Sequence, residues 1–188
     1  MLLTVLGCSG SVPGPESPGS GYLVRAGDTT VALDLGNGTF GALQRYLDPF
    51  HLNALILSHL HPDHCADVSA MTVYRRYHPH PPQCDALPLY GPTDVDERLV
   101  AAYAPSADER TVTDLSDVYD FHPVEHPFRI DQLEVRAVAV DHTCEAYALR
   151  VSHAGRTLVY SGDTGPCSQL VELATGADVL LAEASWPD

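Results

Sequence analysis

The sequence predicts an α/β fold in which two β-rich halves pack their sheets face to face, with helices outside. Three observations predict it. The chain opens on antiparallel β structure, and two later strands run directly into strand-to-helix turns, at His59–His64 and at Ser161–Pro166. The third is size: 188 residues, 45% of them hydrophobic, make one domain with a substantial core and exclude a disordered chain.

Leu2–Leu6 and Gly21–Ala26 read as strands on either side of Ser9–Ser20, a Gly/Pro/Ser-rich loop. Gly27-Asp28 turns the chain into a third strand, Thr30–Leu33. Past Gly36-Asn37-Gly38, the residues Phe40, Leu43 and Leu47 share one face of a short helix that Pro49 ends. Ala54–Ser58 is an apolar strand, followed by a helix from about Asp63 to Tyr77 with Asp63 placed to cap it. His78–Pro88 is a loop, leading to a short strand at Leu89-Tyr90 and a helix near Asp94–Tyr103. Val135–Val140, Tyr147–Val151 and Thr157–Tyr160 are strands, the last two joined by a turn at His153-Ala154-Gly155. Cys167–Ala174 reads as a helix and Asp178–Ala182 as a last buried strand.

Charge and composition narrow the function classes. The chain carries 25 Asp plus Glu against ten Arg and no Lys, a net charge of −15. A nonspecific polyanion-binding surface needs clustered basic side chains, which this chain lacks. The longest apolar runs, such as Ala54–Leu57 and Val179–Ala182, are far too short to cross a bilayer, so no membrane association is expected. No Arg precedes Arg25, which argues against a signal at the N-terminus. Five cysteines without a CxxC pair read as free thiols, and the expected location is the cytoplasm.

The strongest chemical signal is His59-x-His61-x-Asp63-His64, three imidazoles and a carboxylate at the end of a buried strand. Alternate residues of such a loop can turn two imidazoles toward one metal ion while Asp63 and His64 reach a second. Two further strand ends offer ligands. His142 follows the strand ending at Val140, and Asp163 lies in the turn after Tyr160, where its two oxygens can each take one ion. Asp34, between a strand and a Gly turn, reads either as an acceptor orienting a ligand imidazole or as a turn residue. Cys65 is expected to pack in its helix, and His51, His78, His80, His122, His126 and His153 to be solvated. Glu183 is either a group that polarises a catalytic residue or a solvated strand-end carboxylate.

The residues so far, in order, resemble a metallo-β-lactamase-fold hydrolase of the branch that includes ribonuclease Z. The resemblance covers essentially the whole chain: Leu-Thr-Val-Leu-Gly-Cys-Ser-Gly-Ser near the start, Leu33-Asp34-Leu35-Gly36-Asn37-Gly38, the His59–His64 motif, His142 with Glu145-Ala146-Tyr147, Ser161-Gly162-Asp163-Thr164 and Ala182-Glu183-Ala184-Ser185. Phrases such as Arg75-Arg76-Tyr77-His78-Pro79 are most similar to actinobacterial members, some of which are cyclic-nucleotide phosphodiesterases. The resemblance implies a four-layer αββα sandwich with two zinc ions at one sheet edge. His59, His61, His142 and Asp163 would hold the first ion. Asp63, His64 and the shared Asp163 would hold the second, with Asp63 also moving a proton as the catalytic residue. Family members continue past the glutamate matched by Glu183 to a catalytic histidine and a histidine of the second site. The resemblance therefore implies that residues 1–188 form one C-terminally incomplete domain whose second ion is bound more weakly.

The expected reaction is hydrolysis of a phosphodiester by water activated on the metals, with a small nucleotide such as cyclic AMP as substrate. Ribonuclease Z grips tRNA with a protruding, often basic arm, whereas His78 to Arg129 contains only Arg98, Arg110 and Arg129, so tRNA 3′ processing is the lesser alternative. Thioester or lactone hydrolysis, and metal binding without turnover, are the others. Self-association into a homodimer is a further expectation.

Overall fold

The computed structural model describes residues 1–184. The first sheet is built from β1 (Leu2–Gly7), β2 (Gly21–Ala26), β3 (Thr29–Leu33), β4 (Ala54–Ile56), β5 (Leu87–Gly91) and β6 (Tyr119–Pro123), neighbours in that order. Its first three strands are antiparallel and the rest join in parallel. The second sheet runs β11 (Val179–Leu181), β10 (Arg156–Tyr160), β9 (Tyr147–His153), β8 (Leu133–Ala139), β7 (Phe128–Ile130), antiparallel except for the β10–β11 pair.

Strand alternation explains the layers. In β3 and β4, Val31, Leu33, Ala54 and Ile56 join Leu149, Val151 and Leu158 of the second sheet in one core between the sheets. The alternate residues Ala32, Leu55 and Leu57 face the other way. They pack on Phe40 and Leu43 of α1 (Thr39–Leu43), on Val68 and Met71 of α3 (Val68–Tyr77) and on Leu99 of α4 (Val95–Tyr103). On the far side, Ala148 and Val159 meet Leu173 of α6 (Ser168–Ala174). The result is the expected αββα arrangement, with the central strands β3 and β4 buried on both faces because both are covered.

Several elements differ from the sequence reading. Helix α1 stops at Leu43, and Pro49 opens a short 3₁₀ turn, Pro49–His51, in which the Asp48 side chain accepts from the Phe50 N–H. The helix expected over Asp63–Tyr77 is broken into α2 (Pro62–Cys65) and α3, so Asp63 lies in a first turn whose N-cap is His61. Asp67 sits at the break, its N–H on the Leu35 carbonyl and its carboxylate accepting from the Phe40 N–H, and these long-range partners replace the bonds of a continuous helix. A one-turn helix, α5 (Ala107–Arg110), and the strands β6 and β7 have no counterpart in the reading. The β9–β10 turn is Ala154-Gly155, both at positive φ, while His153 ends β9. Strand β11 is not buried: Val179 and Leu180 are about half exposed, because the strand has one neighbour and no helix over it among the described residues. His122 is a strand residue that contacts Asp120 and stacks on Tyr90, and His78 packs against Phe50 and Tyr74. No helix among the described residues is long and apolar enough to cross a membrane.

Candidate metal centre

Strand β4 delivers Ser58 and His59 to the edge of the first sheet, and Pro62 then starts α2, so His59 to His64 form a tight loop. Glycine makes the seat for it. The Ser20 N–H holds the Asp63 carbonyl, and a Cβ at Gly36 would lie 1.7 Å from that oxygen, so the loop and the turn after β3 touch backbone to backbone. From the second sheet, the loop after β8 brings His142 and the turn after β10 brings Asp163. Gly162 in that turn has φ +57, and a Cβ there would come within 3.0 Å of the Ser58 side chain.

All six residues singled out in the sequence meet at this edge. His61 Nδ1 lies 3.1 Å from His59 Nε2 and 3.1 Å from His142 Nε2. Asp163 points its oxygens at two different rings, Oδ1 to His64 Nε2 at 3.1 Å and Oδ2 to His59 Nε2 at 4.0 Å. Asp63 Oδ2 is 3.6 Å from His64 Nε2. Two groups therefore have donor atoms close enough for one ion, His59-His61-His142 and His59-His64-Asp163, with Asp63 at the margin of the second. His59 belongs to both.

Asp34 settles as an organiser of this cluster. It is fully buried, at φ +56, and its carboxylate takes the Ser58 N–H, the Ser58 hydroxyl, His64 Nδ1 and the Tyr160 hydroxyl at 2.6–2.7 Å. With the Ser58 hydroxyl committed to Asp34, its oxygen accepts from His59 Nδ1 at 3.1 Å. Both buried rings thus hold a proton on Nδ1 and turn Nε2 inward. The sequence reading missed Ser58 and Tyr160; Ser58's place beside His59 was the one available signal, and Tyr160 had none. Glu183 accepts from the Thr164 N–H and so braces the Asp163 turn. Cys65 is buried with its thiol toward the Leu60 carbonyl and stays outside the cluster.

The electrostatics follow from this packing. Burial, reinforced by the neighbouring His64 charge, pushes His59 down to about 4, so it is neutral at physiological pH. Burial opposes protonation of His64 too, but Asp34 and Asp163 outweigh it and push His64 up to about 10. Burial would raise Asp163, yet its bond to His64 and the nearby histidines hold it below the usual carboxylate range. Burial and Asp34 hold the Tyr160 hydroxyl protonated.

The donor set fits a divalent ion. His61 Nδ1 carries either one proton or one lone pair, and neither can bond fully to both Nε2 atoms that face it. Ligands of a tetrahedral zinc at about 2.05 Å stand about 3.3 Å apart, close to the observed ring spacings. Among the described residues, nitrogen-rich donors with carboxylates beside them suit zinc better than calcium or magnesium.

Comparison with known proteins agrees. Residues 29–188 match the Beta-lactamase superfamily domain. The chain is 54% identical to Uncharacterized protein ML1173 of Mycobacterium leprae, covering 98% of this chain and 65% of that protein's length, so it spans just under two thirds of it. It is 31% identical to Ribonuclease Z of Mycolicibacterium gilvum, over 95% of this chain and 67% of the relative. Among solved structures, the metallo-beta-lactamase fold protein YhfI from Bacillus subtilis superposes with a TM-score of 0.78 at 25% identity, over 95% of this chain and 69% of that one. Sequence match, sandwich and histidine cluster together place the chain in the beta-lactamase superfamily, in the metallo-β-lactamase fold that implies a divalent metal, usually zinc.

Proposed function

We propose that this protein hydrolyses a phosphodiester of a small nucleotide, a cyclic nucleotide such as cyclic AMP, at a two-zinc centre. In this reading His59, His61, His142 and Asp163 hold one ion, and Asp63, His64 and Asp163 hold the other more weakly. The observation that carries it is the convergence of His59, His61 and His142 at 3.1 Å spacings beside a carboxylate whose two oxygens face different rings. When bound, the ions supply Lewis acidity that makes water nucleophilic near neutral pH and offsets charge on a phosphoryl group.

The residues do the rest. Asp34 and Ser58 fix the tautomers of His64 and His59. Asp163 keeps the two halves of the site at a set separation. Asp63, only 13% exposed at its side chain and next to His64, takes the proton of the attacking water and returns it to the leaving oxygen.

A small substrate is favoured because residues 78–129 run through β5, α4, α5 and β6 in and beside the first sheet and into the start of β7 in the second. Of the three arginines there, Arg129 pairs with Glu134 and Arg98 donates to the Leu60 carbonyl, so among the described residues they form no basic arm. The resemblance to Ribonuclease Z of Mycolicibacterium gilvum favours tRNA 3′ processing as the second reading.

A panel of cyclic AMP, precursor tRNA and a thioester, offered to the zinc-loaded protein, separates these. Cyclic AMP should be opened, and Asp63→Asn should slow it by about 10²–10⁴-fold while leaving the unfolding temperature nearly unchanged. Cleavage of precursor tRNA without action on cyclic AMP sinks the choice.

A further inference from the structure

His142 is the one member of the first donor group that comes from the second sheet; His59 and His61 share a loop on the first. Its distance from them depends on how the loop between β8 and β9 is anchored. The Val140 N–H donates to the Ala146 carbonyl and closes this loop around residues 141–145. Two backbone bonds tie the loop outward, from the Gly165 N–H to the Asp141 carbonyl and from the Tyr147 N–H to the Ser58 carbonyl. Cys144 meets the Leu60 backbone, and a further side-chain tie is Glu145. Its Oε1 accepts from the Tyr147 hydroxyl at 2.8 Å, and its carboxylate accepts from the Thr93 N–H and hydroxyl at 3.2–3.3 Å. Tyr147 is buried at the start of β9, and Thr93 lies in the turn between β5 and α4 of the first sheet. The carboxylate thus collects three donors from both sheets, three residues from His142.

We propose that Glu145 is a positioning residue for the metal centre: by clamping the His142 loop to the Thr93 turn, it holds His142 at the spacing from His59 and His61 that one ion requires. The proposal rests on the reading of His142 as a ligand. Glu145 is exposed, so water competes for its bonds and its effect lies at the low end for groups that orient ligands. Three convergent donors on one charged acceptor still define a single carboxylate position better than any one of them would.

The test measures zinc affinity by competition with a chromophoric chelator, together with the visible spectrum of the cobalt-substituted protein. Glu145→Ala should weaken the tight zinc by about tenfold and alter the cobalt band, with little change in the unfolding temperature of the metal-free protein. Glu145→Gln keeps a carbonyl acceptor for Thr93 and Tyr147 and should recover most of the affinity. His142→Ala should weaken zinc further, and in that background Glu145→Ala should add less than about twofold. Parent-like zinc affinity in Glu145→Ala, alongside a weakened His142→Ala, overturns the clamp and leaves the ligand reading standing. An equal loss from Glu145→Ala with and without His142 also overturns it, because the residue would then act elsewhere. Parent-like affinity in His142→Ala overturns the ligand reading, and the proposal with it.

Discussion

Replacing Asp34 by Ala is expected to destabilise the protein by about 3 kcal/mol or more, the range for removing one partner of a buried charged network. Four donors converge on this carboxylate, and the residues that supply the Ser58, His64 and Tyr160 bonds are themselves buried. Alanine would leave them without an acceptor and would also sit at φ +56, where an L side chain costs about 1 kcal/mol. Asparagine tolerates that φ, but its amide group cannot replace both oxygens as acceptors, so Asp34→Asn should fall between alanine and the parent. Denaturant midpoints with unchanged slopes measure this, and a loss below about 1 kcal/mol for Asp34→Ala would show that the network is refilled by water. Zinc affinity should fall in the same variants, since His64 loses the acceptor on its Nδ1 and the Ser58 hydroxyl, no longer committed to Asp34, ceases to fix the His59 ring.

The second large effect is functional. Asp163→Ala removes the carboxylate whose two oxygens face the Nε2 atoms of His59 and His64. The proposed phosphodiester hydrolysis should fall by about a thousandfold or more, beyond the loss typical of a group that only orients a ligand. The fold should survive, because the Asp163 side chain is partly open to solvent and its turn is also braced by Glu183. Initial rates at saturating zinc, beside a circular dichroism melt, test this. Turnover within tenfold of the parent would remove Asp163 from the centre.

What the sequence made legible was local. The six residues at the sheet edge could be picked out because each sits just past an apolar strand, where alternation stops and the chain must turn. Asp34 was half legible: its position before a Gly turn suited an Asx turn as well as an acceptor, and it is the approach of the His64 ring, 30 residues away, that decides between them. Glu145 was unreadable as an anchor because Thr93 reaches it from the other sheet, and Ser58 nearly so, because its acceptor Asp34 comes from the end of the neighbouring strand. The helix break at Asp67 followed from contacts with Leu35 and Phe40, which no helical periodicity records. The strand expected over Asp178–Ala182 looked buried because hydrophobicity alone does not say how many neighbours a strand has.

The most direct test of the account is the zinc content of the parent and of His61→Ala after dialysis against a weak chelator, read by elemental analysis. His61 Nδ1 stands between the other two rings of the first group, so its loss should empty the tight site. The parent should retain at least one zinc per chain, and the variant should lose most of it while staying folded. Equal zinc in the two proteins would contradict the assignment of this cluster as the metal centre.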